Sequence, residues 1–278
     1  MKRALCAVIA ALSVAACGPA GPAVTRPEVL LATTTSFQDS GLLDVLAADF
    51  QKRTAYRLRA TAVGTGAALA IGARGDADVL FVHAPQEELA YMRDGNGDRR
   101  LLVMHNDFVL LGPPSDPAHV RGKNVFDALR AIAAARVTFV SRGDKSGTDI
   151  FEKNLWKESG IAPAGAWYVE AATGMGQTLT VTSEKRAYTL ADRGTFLARR
   201  GQIELAIIVE RDPPLINIYH VITVSPRKFP RVNAAGADAF ADYLISPETQ
   251  RLIASFGVDK YGEALFFPDA GKVDADVR

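Results

Sequence analysis

Short apolar runs of β type alternate with helical segments along almost the whole chain. After the run Val29–Ala32, for example, apolar residues recur at helical spacing up to Lys52. This alternation predicts an α/β architecture with mainly parallel sheets, and 278 residues permit one large domain or two moderate ones. The predicted strands are Val29–Ala32, Tyr56–Val63, Asp78–Val82, Asp107–Leu111, Val137–Val140, Ile203–Val209 and Tyr219–Val224. The predicted helices are Leu42–Lys52, Ala67–Ala73, Glu87–Asp94, Val125–Ala134, Asp149–Ser159, Gln177–Lys185, Ala235–Leu244 and Pro247–Phe256.

The N-terminus has the layout of a secretory signal. Lys2-Arg3 precedes an apolar run, Ala4–Ala15, that is too short to remain as a membrane-spanning helix. The run ends in Val14-Ala15-Ala16-Cys17, which resembles a bacterial lipobox and implies cleavage before Cys17 and lipidation of that residue. Ordinary cleavage at the same place without a lipid is the alternative. We therefore predict a signal peptide over 1–16 and a Pro/Gly/Ala-rich tether over 17–27.

Cysteine use and charge exclude several classes of protein. Of the 2 cysteines, Cys6 would leave with the signal and Cys17 would carry the lipid, so the mature chain has no thiol for a disulfide or for catalysis. The formal net charge is +1 with no basic block, which argues against a nucleic-acid partner. None of the 4 histidines has metal-site spacing, so no metal and no cofactor are predicted.

Two hydroxyl-rich corners each connect a predicted strand to a predicted helix. One is Thr33-Thr34-Thr35-Ser36, with its helix expected from about Asp39, and the other is Ser141–Thr148. Serine and threonine are ordinary helix caps, so each corner alone has a purely structural interpretation. Two in one chain favour a compact oxyanion, which hydroxyls and unpaired backbone N–H groups at helix starts would bind. Arg142 would add a permanent cation, with Lys145 as its rival.

Two composition breaks predict how the chain passes between two lobes. Asp107–Leu111 runs into Gly112-Pro113-Pro114, and a second break at Pro213-Pro214 precedes the strand region from Asn217. If both are hinge crossings, residues 28–111 and 217–278 form lobe 1, and residues 112–216 form lobe 2. The two hydroxyl corners would then face each other across a cleft, where ligand sites of α/β proteins commonly form.

Several stretches resemble periplasmic tungstate-binding proteins of ABC transporters, and they do so in colinear order over about residues 28–260. This resemblance implies a type II periplasmic binding-protein fold, in which two α/β lobes joined by two hinge strands close over an oxyanion. It also implies an ABC permease and an ATPase as partners. The matching stretches are Thr33–Ser36 with Gln38–Leu43, Val63–Leu69, Gly75–Pro85, Asn106–Val109, Ser141–Thr148, Gly174–Leu179 and Tyr188–Thr195.

The resemblance also implies which residues contact the anion. In one respect the chain departs from the family, since Asp149 follows Gly147-Thr148 where the family often has histidine. A carboxylate there would repel an anion unless it faces away or caps its own helix. The implied contacts are Thr34, Thr35 and Ser36, then Thr65 with the Gly66 backbone, then Arg142, Ser146 and Thr148, and finally the Gly174–Gly176 turn at Met175.

Together these patterns predict an extracytoplasmic solute-binding protein that captures tungstate for an ABC importer. It would be a periplasmic monomer attached to a membrane by a lipid. Molybdate, sulfate or phosphate are alternative ligands, because hydroxyls and N–H groups suit them all. An enzyme or sensor on the same fold is the alternative from another class. No G-x-S-x-G elbow and no evident nucleophile–base pair occur in the sequence, so no enzymatic activity is predicted.

Overall fold

The computed structural model describes residues 26–277, so the predicted signal peptide, Cys17 and nearly all of the predicted tether lie outside the described residues. Between Arg26 and Val277 no helix has the length and apolar character that a membrane span requires. The strands are β1 (Glu28–Thr34), β2 (Arg57–Val63), β3 (Val79–Val82), β4 (Gly97–Gly112), β5 (Phe139–Ser141), β6 (Tyr168–Glu170), β7 (Thr189–Asp192), β8 (Ala206–Val209), β9 (Ile216–Val224) and β10 (Phe267–Pro268). The α-helices are α1 (Thr35–Ser40), α2 (Leu42–Arg53), α3 (Thr65–Gly72), α4 (Pro85–Arg93), α5 (Val125–Ala135), α6 (Gly147–Glu158), α7 (Met175–Glu184), α8 (Arg193–Arg199), α9 (Ala234–Ile245), α10 (Pro247–Ser255) and α11 (Val258–Tyr261).

The first sheet has the strand order β10-β4-β9-β3-β1-β2. β1 pairs in parallel with both β2 and β3, while β9 runs antiparallel to β3 and to β4. The apolar residues of α2 and α9 pack against this sheet in a core that contains Phe37, Phe81 and Tyr219. Parallel strands need crossover helices, and the alternation in the sequence reflects those connections.

A second group of strands is assembled on the far end of β4. β5 and β6 pair in parallel, and β7 and β8 pair antiparallel with β4. A parallel bridge between Phe139 and Tyr188 connects β5 to β7. A separate core of buried aromatic and aliphatic side chains, including Trp156, fills this half of the molecule.

β4 takes part in both groups of strands. Its residues up to Asp107 pair with β9, and from Phe108 onward they pair with β7 and β8. The chain returns between β8 and β9, near the Pro213-Pro214 break. The type II fold predicted from the sequence is confirmed by the comparisons given below, whereas the lobe ranges 28–111, 112–216 and 217–278 stay predictions.

The expectation of mainly parallel sheets was wrong for the strands that connect the two groups. The chain leaves along β4 and comes back along β9, so these neighbours are antiparallel and the first sheet is mixed. The sequence analysis also predicted only the end of β4, because the strand begins with the polar residues Asp98–Arg100 and His105-Asn106 interrupt its apolar run. Elements that it did not predict include α1, β6, β7 and α8.

Candidate anion-binding site

The first hydroxyl corner is a direct junction between a strand and a helix. β1 continues through Thr34, whose hydroxyl accepts a hydrogen bond from the Phe37 N–H and caps α1. The sequence predicted a helix only from about Asp39, but α1 begins at Thr35 and the chain turns at Gly41 before α2. The positive φ of 84° at Gly41 favours glycine there and separates the two helices. Thr35 and Ser36 therefore lie in the first turn of a helix, both shielded from solvent to a large degree.

The second corner, Ser141–Thr148, is organised by Asp149. Its carboxylate accepts hydrogen bonds from the Gly143 and Lys145 N–H groups, each at 3.0 Å, and from the Ser141 hydroxyl at 3.3 Å. Lys153 pairs with the same carboxylate. Asp149 thus faces its own loop, which removes the repulsion that its position in the sequence suggested.

Most backbone N–H groups of this second corner already have protein acceptors. Gly143 and Lys145 donate to Asp149, Ser146 donates to Asp144 and Gly147 donates to Thr65. The expectation that these N–H groups point unpaired at an anion was therefore wrong. Free donors remain on two side chains of this corner, those of Arg142 and Thr148.

The two corners are in direct contact. Arg142 donates from Nη2 to the Thr35 hydroxyl at 3.1 Å, and the Gly147 N–H donates to the Thr65 hydroxyl at 2.8 Å. The Gly66 N–H donates to the Lys145 carbonyl at 3.2 Å. These bonds join residues far apart in the sequence, and they bring most of the predicted site residues together where the two corners meet.

Arg142 is the cation of this cleft. Its side chain is 1% exposed, and Nη2 is bound to Thr35 and Asp144. Nε and Nη1 are buried without a partner, as is the Thr148 hydroxyl. Buried polar groups are normally hydrogen-bonded, and leaving one unsatisfied costs about 1–3 kcal/mol or more when it is charged. Three buried donors of one corner are thus free to bind acceptor oxygens.

The turn at Met175 approaches this cleft from a third side. A Cβ atom on Gly174 would lie 3.5 Å from the Thr35 hydroxyl, so the turn packs closely on the first corner. The Gly176 N–H is already used, because it donates to Asp39 at 3.1 Å. The Met175 side chain is fully buried in the first core, so any contact with a ligand would come from its backbone.

A chain of hydrogen bonds behind the first corner was not found from the sequence. Ser36 Oγ lies 3.3 Å from His83 Nε2, and His83 Nδ1 lies 2.9 Å from Asn217 Oδ1. Asn217 in turn donates to Asn106 at 2.7 Å, which assigns the proton to His83 Nδ1 and leaves Nε2 as an acceptor for the Ser36 hydroxyl. The only signal in the sequence is the position of His83 directly after the buried strand β3.

The Ser36–His83–Asn217 arrangement has the connectivity of a hydrolytic triad. Burial, together with the nearby charge of Arg142, lowers the pKa of His83 to about 4. Such an imidazole is a weak base at neutral pH, and an asparagine cannot stabilise its charged form as a carboxylate does. The arrangement therefore fixes the direction of the Ser36 hydroxyl rather than activating it.

Asp192 is a second residue of the cleft that the sequence analysis did not single out as a ligand contact. Its Oδ1 accepts from the Thr195 N–H at 2.8 Å and caps α8, while Oδ2 is buried without a partner. Burial raises the pKa of Asp192 to about 6, although Thr195 and Arg142 oppose this shift. A carboxylic acid with a pKa near neutrality is therefore present in the cleft.

The electrostatic field at the starts of three helices also favours an anion at this cleft. α3, α6 and α7 begin at Thr65, Gly147 and Met175, all at the cleft. The start of an α-helix carries a partial positive charge that stabilises negative groups. Among residues 26–277, no group of three or more histidine, cysteine, aspartate or glutamate side chains is arranged to hold a metal ion.

Comparisons with known proteins identify the family of this chain. A family profile described as PBP superfamily domain matches residues 21–248. The tungstate-binding protein TupA of Peptoclostridium acidaminophilum is 46% identical over 250 residues, covering 89% of this chain and 87% of that protein.

Two solved structures are similar over most of the fold. A tungstate-binding protein, TupA from Desulfovibrio alaskensis G20, is 46% identical, covers 88% of this chain and 99% of its own, and has a TM-score of 0.73. A structure described as the tungstate ABC transporter from Geobacter sulfurreducens is 45% identical and has a TM-score of 0.77. The match covers 82% of this chain and 98% of that chain. The family resemblance inferred from the sequence is thereby confirmed. The chain belongs to the PBP superfamily, in the family of these TupA proteins.

Proposed function

We propose that this protein is an extracytoplasmic solute-binding protein that captures tungstate in the cleft between its two hydroxyl corners. The observation that carries the proposal is the pair of free, buried donors on Arg142, Nε and Nη1, together with the free, buried hydroxyl of Thr148 in the same corner. A tetrahedral oxyanion offers acceptor oxygens in several directions and a negative charge for the guanidinium. Arginine is suited to this role because its planar fork can bind two oxygens at once.

The choice of tungstate rests on the relatives. Proteins 46% identical to this chain are named tungstate-binding. Hydroxyl and N–H donors suit molybdate, sulfate and phosphate as well, so these anions are the alternative ligands within the same class. Tungstate and molybdate have nearly the same size, and only their measured affinities will separate them.

Closure of the cleft would deliver the anion to an ABC permease with its ATPase. Contacts such as Arg142–Thr35 and Gly147–Thr65 support this, because both halves must meet before all donors can reach one ligand. A ligand that binds only the closed state shifts a hinge equilibrium toward it. The closed surface would then be the form that a permease recognises.

The remaining features of the proposal concern location and class. The lipobox-like Cys17 would tether a periplasmic monomer to a membrane. We assign no enzymatic activity and no resident cofactor, since the family is one of solute-binding proteins and the low pKa of His83 disfavours general-base catalysis. An enzyme or sensor on this fold is the competing class.

The decisive experiment is calorimetric titration of the mature protein with tungstate, molybdate, sulfate and phosphate. Tungstate should bind at least as tightly as any other anion of the panel, compact the protein in small-angle scattering and raise its melting temperature. A protein that binds none of these anions, or whose radius and melting temperature are unchanged at saturation, would contradict the solute-receptor assignment. Turnover of an ester or phosphoester would favour the enzyme class instead.

A further inference from the structure

Most of the unsatisfied buried polar atoms of this protein belong to a few residues near the cleft. Six buried side-chain atoms between residues 26 and 277 lack a partner, and five of them are on Asn106, Arg142, Thr148 and Asp192. Four of those five are N–H or O–H donors. Asp192 Oδ2 is the exception, since an ionised carboxylate only accepts.

The topology places Asp192 beside Arg142. β5 and β7 are parallel neighbours through the Phe139–Tyr188 bridge, so Asp192, the last residue of β7, and Arg142, which follows β5, lie at the carboxyl ends of adjacent strands. Neighbouring strands lie about 5 Å apart, and ligands bind where such strand ends meet. Asp192 also faces the first corner, because Thr195 of its capped helix donates to the Ser36 carbonyl at 3.1 Å.

The groups facing Asp192 leave its charge poorly compensated. Arg142 from the second corner attracts it, but this guanidinium is already paired with Asp144. Asp39 from α1 repels it. Asn106 from β4 and the Tyr219 phenol from β9 are neutral neighbours, and burial keeps the pKa of Tyr219 well above its ordinary value. Arg193, the next residue, is committed to Asp107 and Glu210.

We propose that Asp192 takes up one proton from bulk water when the cleft closes on a dianion, so that anion capture by this chain is coupled to pH. This inference rests on the proposed function. An ionised carboxylate buried beside the anion would repel it, whereas the neutral acid does not and gains an O–H donor at Oδ2. Burial raises the pKa of Asp192 to about 6, and the negative charge of an anion bound nearby would raise it further.

The coupling has a definite sign. Below the pKa that Asp192 has in the absence of anion, the carboxyl group is already neutral, and binding needs no proton. Above that pKa each binding event takes up a proton, so the affinity for tungstate falls by up to about tenfold for each pH unit until the pKa of the complex is reached. The chain would therefore bind the anion more tightly in mildly acidic surroundings than in alkaline ones.

Glu152 is a second buried carboxyl group with a raised pKa, so its titration could be mistaken for that of Asp192. It is buried beneath the second corner, and burial raises its pKa to about 7. Glu152 Oε1 accepts hydrogen bonds from the Trp156 indole at 2.9 Å and from the Tyr168 hydroxyl at 2.8 Å. Glu152 is thus satisfied away from the cleft and serves as a matched control.

The experiment measures tungstate binding by calorimetry from about pH 6.5 to about pH 8.5, in buffers of different ionisation enthalpy that count protons. Wild type should take up close to one proton per anion in the upper part of this range. Asp192→Asn, which keeps the helix cap, should take up none and should vary less than about twofold in affinity. Glu152→Gln should keep the wild-type slope. Circular dichroism and a melting curve confirm that each variant is folded.

Three results would overturn the inference. One is a wild-type protein that binds tungstate without proton uptake, a result that needs no variant. Another is Asp192→Asn with the wild-type slope, and the third is loss of the slope in Glu152→Gln alone. A wild-type protein that gives no binding heat with tungstate at any pH would instead contradict the proposed function.

Discussion

The backbone of Gly147 packs directly against the imidazole ring of His83, which lies on the opposite side of the cleft. A Cβ atom at Gly147 would come within 2.9 Å of His83 Cε1 and Nδ1 and of the Thr65 hydroxyl. His83 cannot turn away without losing its bond to Asn217, and Thr65 accepts the Gly147 N–H. The two corners can therefore approach this closely only because residue 147 is a glycine and has no side chain.

Gly147→Ala should impair closure without unfolding either half. A methyl group between the corners should cost about 1–3 kcal/mol of the free energy of closure, as overpacking does in protein cores. The affinity for tungstate should therefore fall on the order of tenfold to a hundredfold. Calorimetry measures the loss, and scattering should show less compaction. Gly201→Ala is the matched control, since nothing lies within 4 Å of its Cβ position. Equal affinities for Gly147→Ala and wild type would show that the corners need not approach this closely.

Arg142→Ala should remove most of the affinity for a dianion. Truncating one partner of a buried charge pair costs about 2–5 kcal/mol, and Arg142→Lys should recover only part because a point charge cannot reproduce the fork. Lys145→Ala should cost less than ~1 kcal/mol, as its side chain is exposed. Titrating all three variants with tungstate tests the ranking, and an unaffected Arg142→Ala protein would remove this residue from the site.

Thr148→Val should weaken binding more than Ser36→Ala. The Thr148 hydroxyl is buried and free to donate, and a hydrogen bond to a charged group contributes about 1.5–3 kcal/mol. The Ser36 hydrogen points to His83 Nε2, so its loss should cost the anion less than ~1 kcal/mol. The measurement is a pair of tungstate titrations. The reverse order would mean that Ser36 turns its hydrogen toward the ligand.

Glu152→Gln should flatten the dependence of folding stability on pH. The folded-state pKa of Glu152, about 7, lies above its ordinary value, so its contribution is fully present below about pH 4.5 and is lost as the pH rises through about 7. Chemical denaturation at several pH values should show the variant gaining up to about 3 kcal/mol over wild type between these limits. Parallel curves for the two proteins would contradict the shift.

Cys17→Ser should release the protein from membranes into the soluble periplasmic fraction. The proposed lipid on Cys17 would attach the protein to the membrane, and serine cannot carry it. Cell fractionation with an antibody against the mature chain measures the change. Wild-type protein that is already soluble after disruption would favour ordinary cleavage without a lipid.

The sequence predicted the fold class and both corners because these depend on local patterns. Helical spacing in Leu42–Arg53 and the caps at Thr34 and Ser146 are properties of neighbouring residues. The full length of β4 could not be predicted, because its polar start is stabilised only by pairing with β9, more than a hundred residues later.

The parts of the site that were missed come from long-range packing. His83 and Asp192 look ordinary in the sequence, and only the fold brings them to Ser36 and Arg142. The opposite error concerned the loop backbone of the second corner. Two of its N–H groups are occupied because Asp149 turns inward, and Asp144 and Thr65 accept two more. The sequence does not specify the directions of these side chains.

The sharing of β4 between two groups of strands has a consequence for how the chain becomes native. β4 is synthesised before residue 113, yet all its main partners, β7, β8 and β9, lie between residues 189 and 224. Long-range strand pairing is slow because a large loop must close first. The sheet of the amino-terminal half therefore stays incomplete until the last third of the chain has been synthesised. Such late completion suits a polypeptide that is proposed to cross a membrane before it folds.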